Sequence, residues 1–166
     1  MGGKNAVLVL ADADLDLAAN GIAMGAFGST GQRCTATSRV VADRRIAAKL
    51  VELVTERARK LQVGPGNGSV SYMGPSVDEA QLKTVLKYLD VAKKEGAELV
   101  CGGKQLTSGD HAHGYYVAPT IYTKVKAKNR LAQEEIFGPV LSVIEVDGVE
   151  EAIETGNDSL FGLAGS

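Results

Sequence analysis

The 166-residue chain has no tryptophan, two histidines, two cysteines and four prolines, and aromatic residues make up 5% of it. Its core must therefore be aliphatic, and a chain of this length can bury one as a single domain. Two cysteines, Cys34 and Cys101, are too few for a disulfide framework, which suits a reducing cytoplasm. No apolar run approaches the roughly 20 residues of a bilayer span, so a membrane helix is excluded. Nothing at the start pairs a basic segment with an apolar stretch and a small-residue cleavage site, so no secretory leader is expected. The net charge is -2 and no segment accumulates Lys and Arg, which excludes a nucleic-acid footprint. No G-x-G-x-x-G dinucleotide fingerprint occurs either.

What is present is an alternation of short apolar or period-2 segments with helix-period segments, the pattern of a layered α/β domain. Residues 6–10 read as a buried strand, and Asp12, Asp14 and Asp16 open a helix running to about Phe27. The same D-x-D-x-D is not a Ca²⁺ loop, because Leu17 stands where that loop needs glycine and Ala23 where it needs glutamate. Residues 39–42 are a second strand, and Asp43 caps a helix over 45–62 whose stripe is Ile46, Leu50, Leu53, Val54, Ala58 and Leu61. Residues 64–69 form a surface loop without the lysine of a phosphate-binding loop. A helix over 78–95 stops at Gly96. Residues 99–101, 115–123 and 140–146 are strands, and 149–157 is a last helix. The expected fold is a three-layer αβα domain with a mostly parallel twisted sheet.

Cys34 falls in the loop between the first helix and the second strand, within Gly31-Gln32-Arg33-Cys34-Thr35-Ala36. A thiol there is a candidate nucleophile, since neighbouring backbone N–H groups can activate a thiolate and later hold an oxyanion. The competing reading is a small buried hydrophobe. Cys101, at a strand end, fits that second description. His111 and His113 sit in the polar loop 108–114. They lack the ligand count of a metal site, and none is expected.

Four stretches resemble the aldehyde dehydrogenase superfamily in order and spacing. Gly31-Gln32-Arg33-Cys34 is similar to its nucleophile signature. Gly2-Gly3-Lys4-Asn5, with the apolar run and acidic residues behind it, is similar to the segment upstream of that nucleophile. Glu134-Glu135-Ile136-Phe137-Gly138-Pro139-Val140 resembles the cofactor-contacting motif. Asn157 with Phe161-Gly162-Leu163-Ala164 resembles the end of the catalytic domain. The run from Gly28 to Arg39 looks most like the branch acting on 2-oxoglutarate semialdehyde (2,5-dioxovalerate).

The resemblance implies oxidation of an aldehyde to a carboxylate with NAD or NADP, through a thioester on Cys34. Glu135 would accept hydrogen bonds from the nicotinamide ribose and Phe137 would pack near the ring. Arg33 and Thr35 flank the nucleophile as candidate substrate contacts. Lys4 reads as a surface residue without a role, and Asn157 as either a site residue or a turn former. The resemblance also implies that the general-base glutamate, the dinucleotide-binding domain and the oligomerisation elements lie outside residues 1–166. The fragment alone is then inactive, and the full-length protein a homo-oligomer. Two alternatives stay open: a cysteine hydrolase or acyltransferase pairing Cys34 with His111 or His113, and a non-catalytic α/β module.

Overall fold

The computed structural model describes residues 2–67 and 72–166. Gly68 and Ser69 of the expected surface loop lie outside the described residues. Strand β1 (Asn5–Val9) leads to helix α1 (Leu15–Phe27), and β2 (Thr37–Asp43) to α2 (Arg44–Lys60). Helix α3 (Glu79–Lys94) precedes β3 (Glu98–Cys101), β4 (Gln105–Leu106), β5 (Tyr116–Val117) and β6 (Thr120–Thr123). Helix α4 (Arg130–Gln133), strand β7 (Val140–Val146) and helix α5 (Val149–Asn157) complete the order.

Five strands form one sheet in the order β1-β2-β7-β6-β3, with β4 and β5 paired separately. The pairs β1/β2, β2/β7 and β6/β7 are parallel, and β3 joins β6 antiparallel at the edge. Because side chains alternate along a strand, β7 feeds both faces. Leu141 and Val143 pack with α1 and α2, while Val140 and Ile144 pack with α3 and α4. Ala6, Val41 and Val146 meet Ala152 of α5 on that second side. This is the expected αβα sandwich, with an aliphatic core apart from Phe27 and three tyrosines. No helix among the described residues is long and apolar enough to cross a membrane.

The caps explain the helix starts. Asp14 accepts from the N–H groups of Asp16 and Leu17, Asp43 from Arg45 and Asp78 from Gln81. The single strand expected over 115–123 is two, because Pro119 has no N–H to donate to a ladder. Lys4 is not a surface residue: it is 2% exposed. The loop at 108–114 is docked rather than free, since the His111 ring is 2.8 Å from the Val63 carbonyl and packs edge-on against Tyr116.

Candidate active site

Three segments converge where β1, β2 and β7 begin: residues 2–5, 33–36 and 135–139. The turn that carries Cys34 is bent hard. Ser29, Thr30 and Gly31 follow α1 with φ of 52°, 61° and 66°, a region that side chains avoid. Neighbouring segments hold that conformation. Thr30 Oγ1 donates to the Gly74 carbonyl, and Gln32 clamps the 75–77 segment through Pro75 and Val77. Glycine is required at 31, where a Cβ would collide with the Gly138 carbonyl.

Cys34 is exposed and unpaired at the apex of this turn. Its backbone is fixed instead. The Cys34 carbonyl accepts a 2.8 Å hydrogen bond from Asn5 Nδ2, which also reaches the Ala36 carbonyl at 2.8 Å. Asn5 Oδ1 in turn accepts from the Ala164 N–H, tying the closing Phe-Gly-Leu-Ala run to the same point. The Cys34 N–H has no acceptor among the described residues, leaving a donor beside the sulfur.

Glu135 reaches the same strap. The Gly3 N–H donates to its Oε1 at 2.9 Å, while Gly3 itself packs so tightly on the Cys34 carbonyl that no side chain fits. One four-residue strap therefore holds the thiol-bearing turn and a carboxylate 101 residues further along. Phe137 has φ of 56° and is 37% exposed, and its carbonyl accepts from Gln81 Nε2. A narrow cleft runs between these parts, lined by Gly3, Arg33, Ala36, Glu135 and Phe137.

Arg33 is thus on the Glu135 side, near Gly28, with no acid partner among the described residues. Thr35 is exposed on the turn and does not line that cleft. Neither imidazole hydrogen-bonds the Cys34 sulfur; His111 is committed to Val63. Asn157 ends α5 and lines a second, larger cleft of about 460 Å³ together with Lys4, Arg39 and Phe161.

Three structural residues have no role that the sequence pattern alone assigns. Asn5 and Gln32 were visible only as letters of a motif, although a polar residue opening an apolar strand is a signal. Arg39 was unassigned too, and it is 2% exposed, donating to the carbonyls of Lys4, Thr155, Gly156 and Asp158. It binds α5 to the strap.

The profile described as the aldehyde dehydrogenase family matches residues 1–166. The chain is 45% identical over 166 residues to the alpha-ketoglutaric semialdehyde dehydrogenase of Bacillus subtilis, covering all of this chain and 34% of that protein. It is 42% identical over 164 residues to a betaine aldehyde dehydrogenase of Brucella anthropi, 99% of this chain and 34% of the relative. Among solved structures it superposes on betaine aldehyde dehydrogenase from Staphylococcus aureus in complex with NAD⁺ with a TM-score of 0.97 at 36% identity, covering 99% of this chain and 33% of the other. For 1-pyrroline-5-carboxylate dehydrogenase from Thermus with bound NAD the values are 0.93, 45%, 99% and 31%. The chain spans about a third of the length of the relatives it matches.

Proposed function

The chain belongs to the aldehyde dehydrogenase family, and from that premise we propose that it carries the nucleophile and the nicotinamide-side carboxylate of an NAD(P)-dependent aldehyde oxidation. The observation that carries this reading is the shared strap: Gly3 and Asn5 fix Glu135 and the Cys34 turn to each other while leaving the sulfur exposed.

The Cys34 thiolate attacks the aldehyde carbon, and the carbonyl π pair moves onto oxygen to give a hemithioacetal. The unpaired Cys34 N–H is a donor for that oxyanion. A nicotinamide held by Glu135 and Phe137 would supply the hydride acceptor, and loss of hydride from the hemithioacetal carbon would leave a thioester on Cys34. Water then hydrolyses the thioester, freeing the acid and the thiol. The residues present fit the nicotinamide end of the cofactor. Glu135 keeps Oε2 without a hydrogen bond among the described residues, and Phe137 offers a partly exposed ring across the same cleft. The remainder of the dinucleotide has no glycine-rich cradle here, so the rest of a longer protein would supply it together with the general base.

Arg33, a cation without an acid partner among the described residues, directly precedes Cys34 and lines the cleft on the Glu135 side, and the exposed Thr35 directly follows it. A guanidinium there favours an aldehyde that bears a carboxylate, such as 2,5-dioxovalerate. The similarity to a semialdehyde enzyme supports the same class.

The test separates the covalent half of the reaction from the redox half. Incubating the full chain with p-nitrophenyl acetate is expected to leave an acetyl group on Cys34, read by peptide mass spectrometry and lost in Cys34→Ala. Acetylation confined to Cys101 overturns the nucleophile assignment. Residues 1–166 alone are expected to oxidise no aldehyde with NAD⁺ or NADP⁺, and steady turnover overturns the division of labour.

A further inference from the structure

The reaction above leaves Lys4 without a task, and its surroundings are unusual. Its side chain is 2% exposed, and its Nζ has no hydrogen-bond partner among the described residues. Lysine is almost never buried unpaired, because an unsatisfied amine loses its hydration and gains nothing in return. The residue borders the 460 Å³ cleft, whose lining includes two cations, Lys4 and Arg39, and no acidic side chain. Leu8, Ile153 and Phe161 make much of the remaining wall apolar.

The charged groups around Lys4 come from three elements. Arg39 of β2 opposes an ammonium, whereas Glu134 and Glu135, ahead of β7, favour one. Neither carboxylate hydrogen-bonds Nζ. Glu134 accepts from Tyr88 and Arg130, and Glu135 from the Gly3 N–H. Asp158, next to Arg39, is paired with Lys128 at 2.6 Å. Burial first, and Arg39 second, hold the Lys4 ammonium down to a pKa of about 7. A substantial share of the side chain is therefore the free amine near neutral pH.

A free, unpartnered amine beside a guanidinium is a nucleophile for an electrophile small and uncharged enough to pass from the apolar-walled cleft to the buried Nζ. We propose that Lys4 is a carbamylation site, forming a reversible carbamate with dissolved carbon dioxide. The amine lone pair makes the new N–C bond, one C=O π pair moves onto oxygen, and one amine proton passes to water. Nothing is oxidised or reduced, and there is no leaving group.

The product supplies what the amine lacks. A guanidinium has five N–H donors. Arg39 uses Nε on the Lys4 carbonyl, Nη1 on Thr155 and Asp158, and one donor of Nη2 on Gly156. One Nη2 donor remains, and a carbamate oxygen is a matching acceptor. The modification places a negative charge on the strap that holds Glu135. It does not depend on aldehyde oxidation.

The test uses the full chain in carbon-13 bicarbonate near neutral pH, trapped with triethyloxonium and mapped by tryptic mass spectrometry. The ethyl carbamate is expected on Lys4, exceeding that on any other lysine by about tenfold or more, because exposed lysines hold their protons far more tightly. A carbamate carbon-13 resonance is expected in the native chain and absent from both Lys4→Arg and Lys4→Met. Label confined to the Met1 α-amine, label spread evenly over the lysines, or a resonance surviving in both variants overturns the proposal. Mapping the native chain needs no variant, so a variant that fails to fold does not protect the idea.

Discussion

Cys101 ends the antiparallel edge strand with its sulfur 3.7 Å from the Pro119 carbonyl, half-buried against the α2 side of the sheet. Cys34 stands on a turn before the parallel strand β2, with its carbonyl tied down and its sulfur free. The same side chain is a packing element in one place and a candidate nucleophile in the other. What differs is where the hydrogen bonds fall. At position 34 the surrounding polar groups hold the main chain, so the turn is rigid while the thiol stays exposed. At position 101 burial pushes the thiol pKa up and leaves the neutral form to fill space.

The largest expected effect tests how tightly the first of these regions is built. A Cβ on Gly3 would collide with the Cys34 backbone carbonyl, which has no flexible end to swing away. Gly3→Ala should cost about 3 kcal/mol or more in urea unfolding, in line with overpacking. Gly103, beside Cys101, is the control. An added Cβ there meets the flexible end of Leu99 at 2.6 Å, and its φ of 69° adds strain, so Gly103→Ala should cost only about 1 kcal/mol. Equal losses at the two sites would break the contrast between a rigid and a yielding surround.

A smaller effect is expected at Asn5. Removing its amide leaves the carbonyls of Cys34 and Ala36, and the N–H of Ala164, without their present partners. Asn5→Ala should destabilise the chain by about 1–3 kcal/mol. Because the lost bonds hold the Cys34 turn, hydrogen exchange at residues 33–36 should accelerate more than at residues 99–101. Uniform acceleration would mean that Asn5 supports the fold generally and not this turn.

Much of the fold was legible because its signals are local. The alternation in β7, the stripe of α2, and the Asp14, Asp43 and Asp78 caps all follow from neighbours in sequence. The break at Pro119 is legible too, since proline has no N–H to give a ladder. Of the site, Cys34 is legible from its helix-to-strand loop, and the rest only as a family pattern. Nothing in the spacing of Cys34 and Glu135 says that they meet; the parallel pairing of β1, β2 and β7 brings their loops to one end of the sheet. Lys4 was misread for the same reason. Its carbonyl is held by Arg39, whose other donors go to the end of α5, more than 100 residues away.

The smallest effect compares the cysteines directly. Iodoacetamide requires a thiolate that it can reach, so the exposed Cys34 should be alkylated about tenfold faster than Cys101, a difference of about 1.4 kcal/mol in barrier. The raised Cys101 pKa adds a direction: its rate should keep climbing with pH after an unhindered thiol has levelled off. Unfolding in urea removes both burial and turn, so the two rates should converge there. A native ratio near unity would erase the contrast, and one that survives denaturation would assign it to neighbouring residues along the chain and not to the places the fold gives the two sulfurs.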